Sequence, residues 1–233
     1  MLDMTITTRS AALLCSLLTL TACSEDEDGR IVLGRGFETN VLNTLQYQTP
    51  VVVQVSENDG SPAAGAVVTI TATADGYFKG SYVATDIDNP MDGIPDEWVR
   101  TTSGAGLCTN EDANDNGILD GGEDTNGNGV LDPAAAATIT AHPTATPTIT
   151  PGTNLITTDT SGFGYFSLTY PKSQGNWVQV TITARVGDGS PGNTQTDSFL
   201  LPVIISDIDD PNVSPPGGTI GAYGSAANCT DAS

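Results

Sequence analysis

Apolar and polar residues alternate along much of the chain with a period of two. Residues 46–56, QYQTPVVVQVS, predict a first strand, and the run Asn58-Asp59-Gly60-Ser61-Pro62 predicts a turn. Residues 66–73, AVVTITAT, put Val68, Ile70 and Ala72 on one face. Residues 164–170, GYFSLTY, do the same with Phe166, Leu168 and Tyr170, and residues 177–186, WVQVTITARV, with Val178, Val180, Ile182 and Ala184. Residues 197–204 complete the set. Threonines and glutamines take the opposite face, which is the pattern of antiparallel sheets wet on one side. No segment after residue 23 sustains a helical period. Two such sheets bury their apolar faces against each other, so the expected fold is all-β, an antiparallel sandwich.

The first residues break this pattern. Arg9 precedes an apolar run over 11–20, the length of a secretory signal core and too short for a membrane span. The run ends in Leu20-Thr21-Ala22-Cys23, which resembles the bacterial lipobox. That resemblance implies lipidation of Cys23 and a membrane partner reached through the lipid anchor; an ordinary signal peptide ending near a cysteine is the alternative. Ser24 stands where an Asp would retain a lipoprotein in the inner membrane, so the resemblance implies the outer membrane, on its periplasmic or cell-surface side. The domain reading is then a signal peptide over 1–22, a lipidated flexible tether over 23–44, a sandwich over 45–205 carrying an acidic insertion at 86–133, and a tail over 206–233.

Charge and cysteines refine this reading. The 233-residue chain carries a formal net charge of −21, and removing residues 1–22 deletes only Asp3 and Arg9. Such a chain attracts cations and is not expected to bind nucleic acid. With Cys15 in the signal segment and Cys23 given to lipid, Cys108 and Cys229 remain, in a compartment where pairing is the default. Two separate thiols are the alternative.

The strand pattern also carries a family resemblance. Residues 50–55, Asp59-Gly60-Ser61-Pro62 and Gly65-Ala66-Val67-Val68 are similar to the opening of a bacterial Ig-like domain of the invasin/intimin type (group 1). The segment Thr158-Asp159-Thr160-Ser161-Gly162, followed by residues 166–171 and 177–184, is similar to its second half. The resemblance implies an Ig-like sandwich and a spacer, adhesion or interaction role.

Between those halves lies the acidic segment. An EF-hand-type calcium loop needs oxygen ligands at positions 1, 3, 5, 7, 9 and 12 and a Gly at position 6. Counting from Asp112 gives Asp112, Asn114, Asn116, Ile118 through its carbonyl, Asp120 and Glu123, with Gly117 at position 6. A second register follows at once with Asp124, Asn126, Asn128, Val130 and Asp132, but its position 12 is Ala135. An upstream echo offers Asp88, Asp92 and Asp96 as a weaker set. Tandem loops of this kind resemble thrombospondin type 3 and dockerin-like repeats. Many oxygens on a flexible backbone favour Ca2+ over Mg2+, and the sole histidine, His142, stands apart from any cysteine, so no zinc set forms. An unliganded acidic loop is the alternative.

The remaining inventory points away from catalysis. No G-x-S-x-G, H-E-x-x-H or phosphate-binding glycine loop occurs. The expectation is therefore a non-catalytic cell-envelope lipoprotein with an unknown protein or glycan partner. Two other readings stay open: a subunit or accessory of a surface assembly, and a carbohydrate-binding module using Trp177 or Tyr170.

Overall fold

In the computed structural model the described residues are 30–36, 38–88, 92–134, 136–187 and 192–233. The signal segment, Cys23 and Ala135 lie outside them.

Among the described residues ten strands build two antiparallel sheets. One runs β1 (Arg30–Arg35), β3 (Gln46–Ser56), β8 (Phe163–Pro171) and β6 (Thr138–Ala141), with β2 (Asn40–Val41) also on β3. The other runs β10 (Thr194–Leu200), β9 (Val178–Val186), β4 (Val67–Thr85) and β5 (Glu97–Thr109), with β7 (Leu155–Thr157) also on β4. The sheets pack face to face, as the alternation predicts. Val51, Val53 and Val55 of β3 and Phe166, Leu168 and Tyr170 of β8 meet Val68 and Ile70 of β4 and Val178, Val180 and Ile182 of β9 in one buried core. Fully burying one such side chain contributes about 1.5–3 kcal/mol.

Three segments depart from expectation. The first is the tether, whose last part is not free: β1 pairs with β3 from Arg30↔Ser56 to Arg35↔Val51. Ile31 is buried there, Leu33 packs against the core, and the Arg35 guanidinium lies 3.9 Å from the Phe199 ring centroid with its Nε 2.5 Å from Asp197 Oδ2. This bridges the open side between the two sheets, from β1 to β10. The second is the insertion, which is not one loop. β4 continues through Thr85 and β5 returns along it, so the acidic material forms two excursions, one at the hairpin tip between them and one after Thr109. The third is the last strand, which begins at Thr194 and leaves the sheet after Leu200, before Pro202.

The tail of residues 205–233 is a structural layer. β4 loses β9 as a neighbour beyond Tyr77, and the tail replaces it. After a last bond from Phe78 N–H to Trp177 O at 2.7 Å, Gly80 N–H donates to Gly224 O of the tail at 2.9 Å and Tyr82 N–H to Thr219 O at 2.7 Å. On β5, Trp98 N–H donates to Ile208 O at 2.7 Å. Lys79, 1 % exposed, donates through Nζ to the Asp231 carbonyl. Cys108 of β5 and Cys229 of the tail form a disulfide with Cα atoms 5.5 Å apart, closing 121 residues of separation.

Candidate metal centre

The two predicted loops adopt the same backbone course. Asp112 Oδ1 accepts from Asn116 N–H at 2.9 Å and its Oδ2 from Gly117 N–H at 2.8 Å. Twelve residues on, Asp124 Oδ1 accepts from Asn128 N–H at 3.1 Å and its Oδ2 from Gly129 N–H at 3.0 Å. Gly117 and Gly129 both have φ of 74°, a left-handed turn that glycine adopts without penalty. Asn114 and Asn116 both donate their Nδ2 to Asp120 Oδ2, at 2.9 and 2.8 Å. Asn126 and Asn128 donate likewise to Asp132 Oδ2, at 2.9 and 2.8 Å. The side-chain donors of Asn114 and Asn116 hold the Asp120 carboxyl below the ordinary carboxylate range.

Glu123 closes the first loop. Its Oε1 accepts from Ala113 N–H at 3.1 Å and its Oε2 from Asp120 N–H at 2.9 Å. Sequence counting finds no such carboxylate for the second loop. The structure supplies one in Glu111, which precedes the first loop. Glu111 Oε1 accepts from Thr125 N–H at 3.0 Å and its Oε2 from Asp132 N–H at 3.0 Å. These are positions 2 and 9 of the second loop, the same two positions that Glu123 holds in the first. The signal was present, because Glu111 stands twelve residues before Glu123; it is hidden to a count that runs only forward.

The loops differ in burial. The first is exposed, apart from half-buried Asp112, Leu119 and Glu123. The second is covered at Asp132 and at its clamp Glu111, 8 % and 3 % exposed, while Thr125 and residues 127–130 are exposed. Its cover is aromatic. The rings of Tyr77 on β4 and Tyr223 on the tail lie 4.4 Å apart, and Asn126 Nδ2 is 3.5 Å from the Tyr77 hydroxyl. The buried Tyr223 hydroxyl has no hydrogen-bond partner among the described residues. Burial raises its pKa first, and the charge of Asp132 raises it further, so hydroxyl and carboxylate sense one another.

The donor set fits a hard divalent cation. Each loop presents Asp, two Asn, a backbone carbonyl at position 7, a second Asp and a Glu, all oxygen-bearing and without sulfur or imidazole.

At the hairpin tip the structure groups a different trio from the predicted one. Carboxylate oxygens of Asp86, Asp88 and Asp96 all lie within 4.8 Å of one another. Asp96 accepts from Ile87 and Asp88 N–H, and the Asp88 contact leads the effects that hold its carboxyl low. Asp92 is not in the trio; its Oδ1 accepts from Ile94 N–H at 2.9 Å. Asp86, which the upstream echo passed over, takes its place.

Other singled-out residues have structural roles. Trp177 and Tyr170 are 1 % and 0 % exposed, so neither stacks on a surface sugar. Trp177 packs edge-on against Tyr82, and Tyr170 donates to Pro202 O at 2.8 Å. Asp159 Oδ1 accepts from Ser161 and Phe163 N–H, a turn holding its own backbone. His142 Nδ1 accepts from Thr144 and Ala145 N–H beside edge strand β6. Compared with known proteins, the chain matches no family model, no curated protein and no solved structure.

Proposed function

We propose that this protein is a non-catalytic lipoprotein of the bacterial outer membrane, an Ig-like sandwich stiffened by calcium and serving as a spacer or interaction module. The observation that carries the calcium part is the repeated loop geometry. In both loops the first Asp ties down the backbone of positions 5 and 6, two carboxamides converge on the second Asp, and a Glu carboxylate clamps positions 2 and 9.

A bound Ca2+ would supply positive charge to carboxylates that otherwise repel one another. Asp112, Asn114, Asn116, Asp120 and Glu123, with the Ile118 carbonyl, would hold it in the first loop. Asp124, Asn126, Asn128 and Asp132, with the Val130 carbonyl, would hold it in the second. Extracellular modules of this sort bind at about 10⁻⁴–10⁻³ M, which suits structural occupancy rather than signalling. A sandwich so stiffened holds what it carries at a fixed distance from its anchor.

Calorimetry of the protein with calcium and then with EGTA tests the metal part. Stabilisation follows mass action and reaches about 2.7 kcal/mol at a hundredfold excess over Kd. A melting temperature indifferent to calcium removes the metal from this reading. Palmitate labelling that persists in Cys23→Ser removes the anchor.

A further inference from the structure

Two carboxylates stand in exchanged positions. Glu111 is covalently next to Asp112, the first ligand position of loop one, yet its side chain clamps loop two. Glu123 clamps loop one and is covalently next to Asp124, the first ligand position of loop two. Each loop is therefore closed by the residue that introduces the other.

A second, independent feature marks the inner loop. The Tyr223 hydroxyl is buried without a partner among the described residues, Tyr223 is 8 % exposed, and its ring lies 4.4 Å from that of Tyr77, whose hydroxyl is 3.5 Å from Asn126 Nδ2 of the second loop. A buried donor without an acceptor is costly, about 1–3 kcal/mol, and such groups are normally met by protein or by water. Asp132 occupies position 9, which in calcium loops often reaches the ion through a water molecule. A water held there by an ion would donate a hydrogen bond to the Tyr223 hydroxyl oxygen and so give that buried group its partner. Glu111 and Asp132 are both buried, held by backbone N–H groups and by the Asn126 and Asn128 carboxamides, and a cation between them would add the opposite charge that such a pair favours.

We propose that residues 111–132 bind two divalent cations as one cooperative unit with exchanged terminal carboxylates, Glu123 closing the first site and Glu111 the second, and that the inner ion reaches the tail through Tyr223. This rests on the calcium reading above. An ion in the second loop fixes Glu111 and with it the backbone of Asp112, so the first loop is pre-ordered. An ion in the first loop fixes Glu123 and pre-orders Asp124. Ordering that one ion brings about is not required again of the other, which produces positive cooperativity without a large movement. The tail, held to β5 by the disulfide, becomes part of the inner site.

Calcium titration of the full-length protein in detergent, followed by calorimetry, tests this. The wild type is expected to bind two ions with a Hill coefficient above one. Glu123→Gln, on the exposed loop, is expected to weaken both ions and abolish cooperativity, and Glu111→Gln to do the same. Tyr223→Phe keeps the ring and the fold and removes only the hydroxyl; it is expected to weaken the inner ion by about tenfold, the usual effect of a lost outer-shell partner. Two independent ions in the wild type, or Glu123→Gln weakening one ion alone, overturn the exchange while leaving calcium binding intact. Should Glu111→Gln fail to fold, Glu123→Gln and Tyr223→Phe decide the matter. Unchanged binding in Tyr223→Phe overturns the role given to the tail. A wild type that binds no calcium at all sinks the underlying reading instead.

Discussion

Asp120 shows how much of the loop hangs on single carboxylates. Its carboxyl is held low because Asn114 and Asn116 hydrogen-bond its charged form. Asp96 is held low at the hairpin tip, first by Asp88 N–H. A carboxyl with a depressed folded pKa contributes stability that is complete above its unfolded pKa, near 3.9, and is lost as pH falls through the folded value. Both excursions should therefore keep their order down to about pH 4 and lose it below, while the sandwich core persists. Amide NMR of Gly117 and Gly93 checks this: loss of their dispersed shifts well above pH 4 would contradict it. Asp112 to Glu123 were legible because their spacing is a property of the sequence alone. Glu111 was hidden to a forward count although its twelve-residue spacing from Glu123 stands in the sequence, and Tyr223 reaches the site only through long-range packing.

Strands with an uninterrupted two-residue period, β3, β8 and β9, were legible because each buries one face continuously. The extension of β4 and the whole of β5 were obscured by glycine and aspartate, residues that normally punctuate strands. Here the glycines mark close approach. A Cβ on Gly76 would lie 2.0 Å from the Cys108 carbonyl oxygen, at the register shift between Ala74 and Gly76. Gly76→Ala must displace the β5 backbone beside the disulfide and is expected to destabilise by about 1–3 kcal/mol. Gly121→Ala, where a Cβ meets nothing within 4 Å, should change stability by no more than about 0.5 kcal/mol. Urea denaturation compares the two, and equal midpoints would refute the crowding. β1 was missed for a different reason: six residues flanked by polar sequence carry too little periodicity to stand out, and their strand character comes from the partner β3.

The sandwich and the ribbon extending from it should separate under stress. Val51, Phe166 and Ile182 sit in the buried core, whereas the tail lies mainly along β4 and β5 and is joined to the rest by Tyr223, by the Asp207 contacts to Tyr47 and Lys172, and covalently at Cys229. Replacing Cys108 and Cys229 with serine removes a constraint worth about 4–5 kcal/mol in the chain-entropy picture. The double variant is expected to lose its tail first to limited proteolysis, ahead of cleavage in β3, β8 or β9; simultaneous loss of all regions would mean that the layers do not separate. The length of β4 has a geometric result. Arg30 pairs with Ser56, which bridges to Pro62 just before β4 begins, so the chain enters the sandwich near the start of that strand. Its 19 residues then run on for about 60 Å toward Asp86, Asp88 and Asp96. A protein moored to a bilayer upstream of Arg30 would thus work as a boom. Its acidic hairpin tip would then lie at the end of β4 away from that anchor.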